Sequence, residues 1–262
     1  MNFSAQLNHL LSVDGLLSVL TLTLLEIVLG IDNIIFISII AGKVKEPKDR
    51  RKARGLGLFL ALLIRIALLF GISWIISLDK ELFTVFGHGF SGKAIILFCG
   101  GVFLLAKTTS EIHEKMEMAE EDEEEKKNHV SASIVSVIFQ ICFIDIVFSF
   151  DSILTAIGIV DARLILLMIV AVVISMIIMF LFSEAVSSFI EKHPTMKMLA
   201  LAFLLMIGFL LVLDAFGVDV PKPYVYSAMA FAFTVELLNM RLRRKAAKKK
   251  VAAKKDSDDS GN

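Results

Sequence analysis

Seven stretches of this chain are apolar for long enough to cross a bilayer, and short polar or charged blocks separate them. A spanning helix needs about 20 mostly apolar residues. Such segments run from about 16 to 41, 55 to 77, 93 to 109, 134 to 158, 164 to 187, 198 to 214 and 224 to 240. The separators are "KVKEPKDRRKAR", the polar loop "SLDKELFTVFGHGFSG", an acidic stretch from Glu111 to His129, the turn "VDAR", the loop "EKHPTMK", the turn "GVDVPKP" and a basic tail. Glycine and proline punctuate them as turn chemistry requires. The pattern predicts an all-α polytopic membrane protein.

Composition agrees: 56% of the 262 residues are apolar, 21 are Phe and the mean hydropathy is +0.78, above the roughly 45–50% apolar share of soluble domains. The opening "MNFSAQLNHLLSVDG" lacks the positive n-region of a secretory signal, so the first helix is expected to be retained. Cys99 and Cys142 both fall in apolar runs and read as small buried residues, not as a disulfide or zinc site.

Formal net charge is zero, but the charges sit in blocks, and the blocks orient the chain. Lys43, Lys45, Lys48, Arg50, Arg51, Lys52 and Arg54 crowd the first loop, and nine Lys and Arg follow Met240. Both blocks belong in the cytoplasm by the positive-inside rule. Seven spans satisfy this with the N-terminus outside and the C-terminus inside, whereas eight would export one block.

The first span also has an echo. "EIVLGIDNIIFIS" at 26–38 aligns without gaps to "DIVFSFDSILTAI" at 145–157, so Glu26 stands over Asp145, Gly30 over Ser149, Asp32 over Asp151 and Asn33 over Ser152. Lys107 over Asp214, at the ends of the third and sixth spans, is a weaker echo. The two copies enter the membrane from opposite sides, which predicts an inverted-topology repeat with a binding site at the repeat interface. The expected organisation is a first three-helix repeat over 1–109, an acidic linker over 110–133, a second repeat over 134–214, a seventh helix over 215–240 and a basic tail over 241–262.

Four central intramembrane acids would together cost on the order of 10–14 kcal/mol if left unpaired. Arg65 and Lys107 are the basic partners within the spans, and two cations cannot neutralise four acids. Glu184, Asp214 and Glu236, nearer the span ends, add to the excess. Surplus carboxylates suit protons or a hard divalent cation bound by oxygen, and Asn33, Ser149 and Ser152 offer neutral oxygens. Arg65 reads either as a packing residue or as a countercharge for an empty acidic site.

Glu26 and Asp32 lie six residues apart, about 9 Å along a straight helix and about 120° around it. Either the helix unwinds at Gly30 to gather oxygens around one ion, or the acids form successive stations. In the second arrangement a path enters at Asp32, centres on Glu26 and Asp145 and leaves past Asp151.

These motifs, with "IEKHPTMKMLALAFLLMIG" and "PKPYVYSAMAFAFTVELLN", resemble the TerC family, named for tellurium resistance and grouped with integral membrane metal-ion exporters. The resemblance covers nearly the whole chain and implies a seven-span protein of the bacterial inner membrane with manganese efflux as its activity. It places the family's acids and neighbouring polar residues on Glu26, Asp32, Asn33, Asp145, Asp151 and Ser152. Pro223 departs from the glycine relatives more often carry there.

The expected function is export of a divalent cation, Mn2+ first, as transported substrate, with no tightly bound cofactor and with proton exchange or the metal gradient itself as the drive. No Gly-x-x-x-x-Gly-Lys-Ser/Thr nucleotide motif occurs, and no nucleophile and base pair marks an enzyme. Rival readings are an exporter of another cationic substrate and a membrane factor for assembly or metal loading of exported proteins. The acidic linker reads as a solvated connector or a cation collector. The basic tail reads as an anchor to anionic lipid and not a nucleic-acid site, and "DSDDSGN" as disordered.

Overall fold

A computed structural model describes residues 3–78, 80–85, 88–120, 132–161, 164–218 and 220–259. They form two units, Met1–Asp219 and Val220–Asn262. The first holds α1 (Phe3–Leu10), α2 (Val13–Ala41), α3 (Pro47–Phe70), α4 (Ile72–Ser77), the strands β1 (Glu81–Val85) and β2 (His88–Ser91), α5 (Gly92–Glu120), α6 (Ile134–Ile159), α7 (Ile165–Lys192) and α8 (Pro194–Ala215). The second holds α9 (Lys222–Asp259).

Six helices, α2, α3, α5, α6, α7 and α8, are long and apolar enough to cross a membrane. The protein is thus a helical, multi-pass membrane protein. The expected seventh span lies within α9, which is not among the six. Ser, Thr, Tyr and Glu236 dilute its apolar content. α9 also runs on to Asp259, so "DSDD" is helical and not a disordered end. The Ala- and Lys-rich segment before it favours helix.

α2 shows why these residues form a membrane helix. Leu16, Leu20, Leu24, Val28 and Ile31 fall on one exposed stripe, while Val19, Leu22, Glu26, Gly30, Asn33 and Ile37 fall on a buried one. Spacings of three and four residues separate the two faces. The exposed stripe carries only hydrocarbon and the buried one carries the polar groups, the arrangement a lipid solvent demands. Ser12 caps the start, its Oγ accepting from the Gly15 N–H at 3.1 Å.

The bundle is built from cross-pairings. α2 packs along α7 and α3 along α6, α5 packs along α8, and α2 also meets α6 while α3 meets α7. Gly101 and Gly208 bring α5 and α8 backbone to backbone: a Cβ added at Gly101 would lie 2.8 Å from the Gly208 carbonyl oxygen.

Four local expectations change. The second span ends at Phe70, where a turn at Gly71 separates it from α4. The polar loop after it contains an antiparallel hairpin pairing Phe83 with Phe90 and Val85 with His88, so the fold is helical with one small sheet. β-branched and aromatic residues outweigh the turn signals here, and Phe90 packs edge-on against Phe216 at 5.7 Å. α5 runs to Glu120, past the expected end of the third span at residue 109, and the rest of the acidic linker, 121–131, lies outside the described residues. Cys99 is exposed and Cys142 half-buried, so neither is the fully buried filler its apolar run suggested.

Candidate functional site

Three helices bring three charges together in the buried middle of the first unit. α2 supplies Glu26, α3 supplies Arg65 and α6 supplies Asp145, each side chain 3–4% exposed. Arg65 Nη1 donates to Glu26 Oε2 at 2.6 Å, while its Nη2 and Nε donate to Asp145 Oδ1 at 3.0 and 3.3 Å. The Ser149 hydroxyl, one turn along α6, donates to the other carboxylate oxygen, Asp145 Oδ2, at 3.1 Å. One guanidinium is therefore shared by two carboxylates, and with all three ionised one negative charge remains in excess. A planar fork of donors suits this bridging role in a way that an ammonium does not.

Both motif helices stay intact. α2 is continuous through Gly30 and α6 through Ser149. Gly30 serves close packing: a Cβ there would lie 2.3 Å from Met179 Sδ on α7. With no unwinding, Glu26 and Asp32 keep their separation of six helical residues and do not converge on one point.

The remaining predicted residues distribute as follows. Asp32 and Asn33 are buried, each 6% exposed, and the Asn33 amide oxygen has no hydrogen-bond partner among the described residues. Seven residues make about two helical turns, so Asn33 shares a face with Glu26. Ser152 is buried, its hydroxyl donating to the Ser149 carbonyl at 3.2 Å, and Asp151 is half-buried. Among the described residues, no three His, Cys, Asp or Glu side chains gather as metal ligands in this conformation.

Lys107 belongs elsewhere. It pairs with Glu111 at 3.3 Å, and Lys43 joins the same cluster, 2.6 Å from Glu111 and 2.5 Å from Glu114. Burial disfavours the Lys43 charge, but hydrogen bonds to Glu111 and Glu114 and their negative charge outweigh it and raise its pKa. Glu111, expected at the start of a solvated linker, is 2% exposed. Its position four residues after Lys107 on a continuing helix was the signal for this pair. Glu184, counted above with the surplus acids, pairs with Arg51. Asp214 is half-buried on α8.

Two cavities lie along α2. A cavity of about 10 Å³ lies against Glu26, walled by Leu22, Leu69, Ile153, Ala156 and Met168, scarcely room for one water. A larger one, about 730 Å³, opens at the far end of α2 beside Ser38, Ile39 and Gly42.

The family model described as "Integral membrane protein TerC family" matches residues 11–251. The chain is 48% identical over 225 residues to "UPF0053 inner membrane protein YoaE" of Escherichia coli, a match covering 86% of this chain and 42% of that protein. It thus spans less than half of that relative's length. It is 45% identical over 231 residues to a "UPF0053 protein" of Haemophilus influenzae, covering 88% of this chain and 95% of that protein. A third relative, "UPF0053 inner membrane protein YgdQ" of Escherichia coli, is 46% identical over 225 residues, 86% of this chain and 92% of its own. No solved structure matches. The chain belongs to the TerC family of integral membrane proteins.

Proposed function

We propose that this protein is a secondary transporter of the inner membrane that exports a divalent metal cation, Mn2+ first, with its N-terminus outside and its C-terminus in the cytoplasm. The observation that carries the reading is the sharing of Arg65 by Glu26 and Asp145, the matched acids of the two sequence repeats. An inverted three-plus-three repeat with one added helix is supported by the pairings: exchanging α2 with α6, α3 with α7 and α5 with α8 turns α2–α7 into α6–α3 and leaves α5–α8, α2–α6 and α3–α7 unchanged.

In this reading Arg65 holds the place of the cargo. A divalent cation and a guanidinium compete for the same carboxylate oxygens, and the entering ion displaces Arg65 from one or both. The Ser149 hydroxyl adds a neutral ligand at this centre, and the Asn33 oxygen, two helical turns from Glu26, adds one beside Asp32, both of the kind hard cations take. Because α2 is intact, Asp32, the Glu26–Asp145 centre and Asp151 act as successive stations. Protonation of Glu26 or Asp145 on the outer side releases the ion and lets Arg65 return.

Metal flux in reconstituted liposomes tests this. Wild-type protein moves Mn2+, and Asp32→Asn and Asp151→Asn each slow it by about tenfold or more, equivalent to about 1.4 kcal/mol or more on the barrier. Wild-type liposomes that move no divalent metal would overturn the transporter reading and favour the assembly factor. Undiminished flux in both variants would remove the stations while leaving export intact.

A further inference from the structure

Among the described residues, the 730 Å³ cavity is lined by more positive than negative charge. Arg50, Lys115 and Lys197 face it, with Glu191 as its one acid. Glu191 is engaged by Arg50, at 3.5 Å. Lys115 and Lys197 line the same cavity, cation beside cation. Glu111 is held by Lys43 and Lys107, and among the described residues no carboxylate forms an ion pair with Lys115 or Lys197. Like charges brought this close in a partly desolvated recess repel strongly, which an anion between them would reverse.

Two further features point the same way. Ser38, 2% exposed, is a lining residue of the cavity, and its hydroxyl has no hydrogen-bond partner among the described residues, although nearly all buried polar atoms find one. α8 also begins at the cavity with Pro194 and Thr195. Its first intrahelical bond from this end runs from the Lys197 N–H to the His193 carbonyl, which leaves the Thr195 and Met196 N–H groups without helical acceptors. His193 provides no side-chain cap. The positive end of the α8 dipole thus lies at the same cavity as two ammonium groups and a guanidinium.

We infer that this cavity is an oxyanion site, built for a phosphate group carried by a lipid headgroup or by a small soluble phosphoester. The volume suits such a group, since ligand pockets run from about 300 to 1,000 Å³. The site is separate from the Glu26–Arg65–Asp145 cluster and does not depend on which cargo the protein moves. An anion bound there would offset the positive lining at one mouth of the bundle.

The test uses purified full-length protein. Rates of amine labelling at Lys115 and Lys197, read by mass spectrometry, are compared in a maltoside detergent that carries no phosphate, in the same detergent with added phosphatidylglycerol, and in the same detergent with added glycerol 3-phosphate. Protection of both lysines by about tenfold is expected, as one or two charge-assisted hydrogen bonds would give. Protection by phosphatidylglycerol alone assigns the site to a headgroup, and protection by glycerol 3-phosphate assigns it to a soluble phosphoester. Equal labelling in all three conditions would overturn the proposal. Lys197→Gln with Lys115→Gln gives a second reading: retention of phosphatidylglycerol or glycerol 3-phosphate in native mass spectrometry should fall about tenfold. Unchanged retention in a variant that elutes as the wild type does would overturn it too.

Discussion

Arg65 is the side chain on which the centre of the bundle turns. Removing it leaves Glu26 and Asp145 buried beside each other without a countercharge, and breaking a buried pair by deleting one partner costs about 3–5 kcal/mol. Arg65→Leu should therefore lower thermal stability in detergent and folded yield sharply. Adding Asp145→Asn to Arg65→Leu removes half of the stranded charge and should recover part of the loss. A stability equal to wild type in Arg65→Leu alone would show that the cluster contributes nothing. The sequence already singled out all three residues, each an ion inside an apolar run. It did not reveal that one cation serves two acids, because that depends on three helices crossing at one depth. Nor did it reveal that Lys107 serves Glu111 instead of the repeat acids.

Helices that meet through glycine have no slack, and α5 and α8 meet this way. A methyl at Gly101 would stand 2.8 Å from the Gly208 carbonyl oxygen and 3.0 Å from the Val212 nitrogen, both backbone atoms that no rotamer change can move. Gly101→Ala should destabilise the protein by about 1–3 kcal/mol, the usual cost of overpacking. Gly55→Ala on α3 is the contrast: its new methyl would lie 3.8 Å from Phe180, an ordinary contact. It should be neutral or stabilise by up to about 1 kcal/mol through helix propensity. Thermal unfolding of the two variants side by side checks the pair, and equal melting temperatures would refute the close crossing. Span positions were legible along the chain, since hydropathy reports directly which segments avoid water. The break at Gly71 and the hairpin of β1 and β2 were not, because glycine is tolerated in membrane helices and Phe83, Phe90 and Phe216 find one another only after folding.

Charge along the chain is the basis of the orientation proposed for the whole molecule. Lys48 lies in the first basic loop, Lys245 in the basic tail and Lys80 beyond the second span, and all three are exposed. In a background lacking Cys99 and Cys142, Lys48→Cys and Lys245→Cys should react with a membrane-impermeant maleimide only from the cytoplasmic side. Lys80→Cys should react only from the outside. Labelling of Lys80→Cys and Lys48→Cys from the same face would overturn the orientation. The basic blocks carry this information locally, because each is read against the membrane surface as it emerges.

Membrane character, the positions of the six apolar helices and the pairing of Glu26 with Asp145 as matched acids are properties of the chain as written. Each follows from local hydropathy or from an alignment of the chain with itself. The sharing of Arg65, the intact helix at Gly30, the burial of Glu111 and the gathering of Arg50, Lys115 and Lys197 around one cavity come from tertiary structure alone. They bring together residues many turns apart on different helices, and spacing along a chain does not fix the depth or the face at which two helices cross.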